Sequence, residues 1–194
     1  LVLSSIFLDV LTRPTHATKT DWKTIEGAIA GLRGLLVNFS KEFFSADEKN
    51  FRVLYNIIAA SIELQEGAGI QRYDVQREGL CFISKHAVLL KRYLTEDAQS
   101  MFEKLAKLCA HNNTKLRHLA LEAMDEFLTN VGSELVSGVR ERAKDVETFT
   151  FFARSFFKLL QDTNSTMHQT SLAIRGLGKM AVPLRQFHGE AELI

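Results

Sequence analysis

The chain has 194 residues, 46% hydrophobic and 24% charged, so it carries enough apolar side chain for a packed core and is not intrinsically disordered. Lys and Arg total 24 against 23 for Asp and Glu, and the net charge of +1 excludes a strongly basic nucleic-acid-binding arm or an acidic tail as the main feature. Only two prolines occur, which favours long helices, because a proline inside a helix removes a hydrogen bond and clashes with the preceding turn.

Apolar residues recur at spacings of three and four along almost the whole chain, and no sustained alternation of apolar and polar residues interrupts them. This periodicity predicts an all-α protein. The predicted helices lie at 2–12, 22–44, 46–65, 74–93, 96–111, 114–136, 144–161 and 166–181.

Polar residues precede several of these helices and predict where they begin. Ser45 and Glu48 have the spacing of a capping box, in which a hydroxyl and a carboxylate each accept a free backbone N–H of the first turn. Simple N-caps are predicted at Asp21, Asp74, Thr95 and Asn113.

One five-residue motif occurs four times. It consists of a small residue, an aliphatic residue, any residue, a small or apolar residue and a large residue. The copies are Gly31–Leu35, Gly79–Ile83, Ala120–Met124 and Ala173–Leu177, separated by 48, 41 and 53 residues. Each copy falls in the second helix of a pair, where small residues would let a neighbouring helix approach closely and large ones would fill the groove beside it.

This spacing is close to the period of HEAT and armadillo units, about 40 to 47 residues. Such units bury their apolar faces only by stacking, so we predict a HEAT/armadillo-like α-solenoid of about four stacked helix pairs. The whole chain, 1–194, would form one solenoid with approximate repeats at 1–44, 45–93, 95–136 and 144–183. The phenylalanine stripe Phe151, Phe152, Phe156 and Phe157 is interpreted as core.

The two cysteines, Cys81 and Cys109, lie inside apolar helical patterns and do not form a disulfide framework, which favours a reducing intracellular compartment. No apolar run approaches the roughly 20 residues needed to cross a bilayer, and the opening segment lacks the basic start of a signal peptide, so we expect no membrane span. The chain begins without methionine in the middle of a helical pattern, and we expect it to be a piece of a longer protein.

We find no catalytic constellation in the sequence. The segment 175–179 has two glycines and a lysine, but a phosphate-binding loop needs a preceding strand and a Ser or Thr after the lysine, and Met180 stands there. Close helix packing at Gly176 and Gly178 is the preferred interpretation. Cys109, His111 and His118 have no fourth ligand at zinc-site spacing, so we predict no metal site.

The charge is uneven along the chain. Residues 71–118 carry nine basic and five acidic side chains, a local net charge of +4, which indicates a modest positive strip on one side of the solenoid. Such a strip could contact phosphates with salt-dependent affinity and no sequence specificity. The alternative is a solvated face, with cations favoured near helix C-termini.

Two stretches resemble a known family. The segment Leu108–Asn113, continuing through Leu116 and Ala120 to Leu128, is similar to the N-terminal helical repeats of the DNA-dependent protein kinase catalytic subunits, within the phosphatidylinositol-3-kinase-related kinases. The segment Ser171–Gly178, ending at Pro183, is similar to the next unit of the same family, in the same order. Weaker similarity extends back to Gly31–Leu35.

The resemblance implies that this segment is a non-catalytic N-terminal arm of a nuclear serine/threonine kinase. In that family the arm helps to cradle a double-stranded DNA end with the Ku heterodimer during non-homologous end joining, beside neighbouring repeats of the same chain. ATP and magnesium would be needed only in the distant kinase domain, and this segment would hold no cofactor. The alternative is a HEAT protein-interaction solenoid, a scaffold or transport adaptor, unrelated to DNA.

Candidate phosphate contacts follow from charge and position on this hypothesis. They are Arg33, Lys85, Lys91, Arg92, Lys115, Arg117, Arg175 and Lys179.

Overall fold

A computed structural model describes residues 22–44, 48–63, 73–136 and 142–191 of the chain. These residues form seven α-helices and no strand, which confirms the all-α fold and is consistent with a helical solenoid. The helices are α1 Trp22–Phe44, α2 Glu48–Ser61, α3 Tyr73–Glu96, α4 Ala98–Cys109, α5 Thr114–Val136, α6 Arg142–Gln161 and α7 Met167–Ala191. The predicted helix 2–12 lies outside the described residues, and the count of four repeats stays a prediction.

Predicted and observed helix bounds differ by at most four residues, except at the end of α7. The predicted bounds of α1 and α5 are those observed. The predicted end of α7 at 181 is wrong, because the helix continues through Pro183 to Ala191. A proline costs a helix one hydrogen bond, yet its fixed φ is compatible with helical backbone, so it is an imperfect stop signal.

The predicted N-caps have mixed outcomes. Asn113 is confirmed, since its Oδ1 accepts hydrogen bonds from the backbone N–H of Lys115 (3.0 Å) and Leu116 (3.1 Å). Thr95 is not a cap: α3 runs on to Glu96, and the Thr95 hydroxyl donates to the carbonyl of Lys91 one turn earlier (2.7 Å).

The remaining caps depend on where helices begin. Asp74 lies in the first turn of α3 and not before it. Asp21 and Ser45 lie outside the described residues. A capping box that the sequence analysis missed begins α7: the N–H of Thr166 donates to Gln169 Oε1 (2.8 Å), and the N–H of Gln169 donates to Thr166 Oγ1 (3.3 Å).

The chain divides into two compact units, Leu1–Phe82 and Ile83–Ile194. In the first unit, the described part consists of α1, α2 and the start of α3. Its core is formed by fully buried aliphatic side chains one turn apart: Ile29, Leu32, Leu36, Leu54, Ile58 and Ile62. A Cβ on Gly79 of α3 would lie 2.8 Å from Ile62 Cγ2, so α3 approaches the end of α2 closely.

The second unit contains two stacked helical hairpins. Helices α4 and α5 form one hairpin and α6 and α7 the other, with α5 packed on α7 and α4 packed on α6. Residues 95–100 face residues 144–148, and Phe102 faces residues 151–156, so α4 and α6 run parallel. This like-on-like stacking of hairpins is the packing expected of HEAT units.

Aromatic rings join the two hairpins. The Phe102 ring on α4 stacks on Phe152 of α6, with centroids 4.9 Å apart, and meets Phe156 edge to face at 5.1 Å. Phe127 on α5 meets Phe152 edge to face at 5.8 Å. The core interpretation is therefore confirmed for Phe152 and Phe156. It is wrong for Phe157, which is 51% exposed because it lies on a side of α6 that no described helix covers.

Small residues mark close helix contacts at some of the predicted positions. Ala120 and Ala173 are fully buried, and a Cβ on Gly176 would lie 2.2 Å from Cζ of Phe156. A Cβ on Gly34 or Gly178 would meet nothing within 4 Å, so the packing interpretation holds for Gly176 and fails for Gly178. The glycines of the five-residue motif are thus not equivalent, because only those facing a neighbouring helix set the distance between helices.

Candidate nucleic-acid interface

Five of the eight candidate cations are engaged inside the fold. In the first unit, Arg33 on α1 donates from Nη2 to Glu78 Oε2 on α3 (2.9 Å), and the Glu78 side chain is 8% exposed. This ion pair, between residues 45 apart in sequence, ties α1 to α3. Arg33 therefore has a buried carboxylate as its partner.

Two more candidates form ion pairs between helices of the second unit. Arg175 on α7 donates from Nε (2.8 Å) and Nη2 to the carboxylate of Asp125 on α5, a two-pronged contact that carboxylate and guanidinium geometry favours. Lys91 on α3 contacts Glu134 on α5, with 2.8 Å between Nζ and Oε2. These pairs connect α3, α5 and α7 side by side.

Arg92 and Arg117 make local contacts. The Nε of Arg92 lies 3.3 Å from Glu96 Oε1 one turn later on α3. Arg117 donates from Nη1 to the carbonyl of His111 (2.8 Å) and from Nη2 to Thr114 Oγ1 (3.3 Å), which fastens the turn between α4 and α5. Both guanidinium groups have a role within the fold.

The other three candidates are Lys85, Lys115 and Lys179. All three are exposed and none forms an ion pair with a described residue. They lie on α3, α5 and α7, the three helices joined by the ion pairs of Lys91 and Arg175. We call these three residues the lysine set. Whether they contact DNA stays a prediction.

The Asp125–Arg175 pair fixes the register of α5 against α7. Lys115 lies ten residues before Asp125, and Lys179 lies four residues after Arg175. With α5 and α7 parallel, as the stacked hairpins require, these 14 residues correspond to about 21 Å along the helix axes at 1.5 Å per residue. Lys115 and Lys179 are therefore too far apart along the helices to contact the same phosphate.

Three exposed cations on α6 are not among the candidates predicted from the sequence: Lys144, Arg154 and Lys158. None of them pairs with a described acid, and Arg154 and Lys158 line a shallow cleft beside Phe151. Regional net charge gave no signal, because residues 119–194 carry eight basic and ten acidic side chains. Many of those acids are engaged elsewhere, as Asp125 and Glu134 are.

The segments considered for phosphate-loop or metal binding have structural roles. The glycine segment 175–179 is continuous helix in α7. His111 Nδ1 accepts a hydrogen bond from the N–H of Asn113 (3.0 Å), and Cys109 is buried. Among the described residues, no three His, Cys, Asp or Glu side chains are grouped as metal ligands would be. No helix in the described ranges is long and apolar enough to cross a membrane.

Comparison with known proteins identifies relatives over almost the whole chain. The model of the family described as "DNA-PKcs, N-terminal" matches residues 3–191. A DNA-dependent protein kinase catalytic subunit of Dictyostelium discoideum is 35% identical over 191 residues, 98% of this chain. The protein of the same name from Xenopus laevis is 32% identical over 161 residues, 83% of the chain. The chain spans about 4% of the length of each.

Proposed function

Because the chain belongs to the family of DNA-PKcs N-terminal regions, we propose that it is a non-catalytic scaffold arm of a DNA-dependent protein kinase that helps to cradle DNA ends. The full-length protein is then a nuclear serine/threonine kinase acting in non-homologous end joining, and ATP and magnesium bind outside this segment. The match over residues 3–191 carries the proposal. It supports this function over a HEAT adaptor unrelated to DNA.

The lysine set is the proposed point of contact with the DNA backbone. Its three ammonium groups are exposed and unneutralised by described acids, whereas the guanidinium groups of Arg33 and Arg175 are held by Glu78 and Asp125. Cations that replace counterions on the duplex supply affinity without reading sequence. Contact with phosphates alone suits a protein that must accept any broken end.

The test compares two variants of the full-length protein that remove the same charge from different helices. The first carries K85Q, K115Q and K179Q on α3, α5 and α7. The control carries K144Q, R154Q and K158Q, all on α6. Binding of a blunt duplex is measured by fluorescence anisotropy over a series of salt concentrations.

The lysine-set variant is expected to bind DNA more weakly at low salt. The slope of log affinity against log salt should fall by about 0.9 for each phosphate that the protein no longer neutralises, or roughly 2 to 3 in total. The control variant should keep the wild-type slope. Equal slopes in all three proteins would show that the lysine set does not bind DNA. An equal reduction in both variants would show that the lysine set has no special role among the exposed cations.

Ku is the second proposed partner, on the strength of the family alone. The same proteins can be titrated against bare ends and against ends preloaded with Ku. A higher affinity for Ku-loaded ends in the wild type supports the partnership. If the affinity for Ku-loaded ends is no higher than for bare ends, the proposed Ku partnership is wrong. The proposed DNA contact is then judged by the salt dependence of DNA binding alone.

A further inference from the structure

Helices α4 and α6 leave a cleft along the line where they pack side by side. Gln99 of α4 lines one side of it, and side chains between Glu147 and Lys158 of α6 line the other. Its volume is about 510 Å³, within the range of roughly 300 to 1,000 Å³ that is typical of ligand pockets. The cleft lies between two helices that are already stacked, so further stacking of repeats would not fill it.

One end of this cleft is positively charged. Arg154 and Lys158 lie one turn apart on α6, both are exposed, and neither forms an ion pair with a described acid. Glu147 is the acid among the described lining residues. It lies 11 residues before Lys158, or about 17 Å along the helix at 1.5 Å per residue. A negatively charged ligand is therefore attracted to the end of the cleft at Arg154 and Lys158 and repelled from the end at Glu147.

The cleft also offers an apolar contact and hydrogen-bond acceptors. Phe151 is half-buried, since its ring meets Phe102 edge to face with centroids 5.8 Å apart, and it still lines the cleft. The hydroxyls of Thr150 and Ser155 donate to backbone carbonyls one turn earlier, at 2.7 and 2.8 Å. Their oxygens can still accept hydrogen bonds, and acceptors beside an aromatic ring suit the backbone N–H groups of a peptide.

These features together favour a peptide over a nucleic acid. A nucleic-acid strand carries a phosphate at every nucleotide, so it needs cations along the whole cleft, and Glu147 would oppose it. We propose that the cleft docks an acidic peptide segment of a partner protein, with one apolar side chain against Phe151 and carboxylates on Arg154 and Lys158. A guanidinium group can hold a carboxylate through two parallel hydrogen bonds, and an ammonium group adds a point charge. This binding is independent of the proposed DNA contact, because the lysine set lies on other helices.

The test uses the full-length protein without DNA and three fluorescein-labelled synthetic peptides. The first peptide has two glutamates on each side of one phenylalanine. The second has glutamine in place of each glutamate, and the third has alanine in place of the phenylalanine. Fluorescence anisotropy measures binding to the wild type, to a variant with R154Q and K158Q, and to a control with K104Q and K107Q. The control removes the same charge from α4, at residues that do not line the cleft.

The wild type is expected to bind the first peptide and to bind the other two more weakly. Loss of two exposed ion pairs should weaken binding of the first peptide about tenfold in the variant with R154Q and K158Q. The control should keep the wild-type affinity. Absence of binding to the wild type, or an equal loss in both variants, would overturn the proposal.

The remaining outcomes assign the cleft to a different ligand or remove the apolar contact. If duplex DNA displaces the first peptide from the wild type, and R154Q with K158Q reduces the salt dependence of DNA binding, the cleft binds nucleic acid and the proposal is wrong. If the alanine peptide binds as tightly as the first, the apolar side chain does not contact Phe151 and the proposed mode of docking is refuted.

Discussion

The contact between Gly176 and Phe156 predicts opposite effects for two neighbouring glycine substitutions. Gly176 and Gly178 lie two residues apart on α7. An added Cβ at Gly176 would lie 2.2 Å from Cζ and 2.6 Å from both Cε atoms of Phe156, whereas at Gly178 it would meet nothing within 4 Å. Gly176→Ala therefore tests packing, and Gly178→Ala is its matched control.

The magnitudes follow from the surroundings of the ring. Alanine is favoured over glycine inside a helix by about 1 kcal/mol, which both variants gain. Phe156 is fully buried and its centroid lies 5.1 Å from that of Phe102, so the ring has no room to retreat. Overpacking of this kind costs typically 1 to 3 kcal/mol. We expect Gly176→Ala to lose about 1 kcal/mol net and Gly178→Ala to gain a similar amount.

Urea unfolding followed by far-UV circular dichroism measures both free energies of unfolding. Because the chain has two compact units, hydrogen exchange of peptides from α6 and α7 locates the change in the second unit. The single tryptophan, Trp22, lies in the first unit and is not a suitable probe. If Gly176→Ala is as stable as Gly178→Ala, the backbone of α7 at Gly176 does not lie against the Phe156 ring.

Two further predictions concern Cys109 and the Asp125–Arg175 ion pair of the second unit. Burial raises the pKa of the Cys109 thiol from its ordinary value of 9.0 to about 12, with Asp125 adding to the rise and Arg175 opposing it. The folded-state pKa of the Cys109 thiol exceeds the unfolded-state pKa. The contribution of this buried, neutral thiol to the free energy of unfolding is therefore complete below pH 9 and is lost between pH 9 and about 12. Over this pH range, the free energy of unfolding measured with urea should fall more steeply in the wild type than in Cys109→Ala, by about 1.4 kcal/mol for each pH unit. Parallel curves of stability against pH for the two proteins would contradict the burial of the thiol. For the Asp125–Arg175 pair, a double-alanine cycle should give a coupling of about 0.5 to 1 kcal/mol after allowance for solvent screening, above the roughly 0.3 kcal/mol of the Arg92–Glu96 pair. A coupling no larger than that control would mean that the two-pronged contact adds nothing.

The sequence by itself determined the secondary structure of this protein. Apolar spacing of three and four, with only two prolines, specified helices whose bounds at α1 and α5 are those observed. Periodicity is a local property, because residues three or four apart share a helix face whatever lies beside them. The Asn113 cap was predictable for the same reason, since its partners are the backbone N–H groups two and three residues later in the chain. The resemblance to the family was also visible in short sequence motifs.

Only the tertiary structure decided which charges are free. The Arg92–Glu96 pair was visible in the sequence as a one-turn spacing, but Arg33 pairs with Glu78 and Arg175 with Asp125 across 45 and 50 residues. Pairing at such distances depends on helix register, which periodicity does not specify.

The same limit applies to the glycines. Gly176 and Gly178 look alike in sequence, yet one touches a buried ring and the other faces open space. The two positions differ by about 200° around the helix axis at 3.6 residues per turn. Which side of α7 meets α6 is set by how the hairpins stack, and stacking involves residues far apart in the chain.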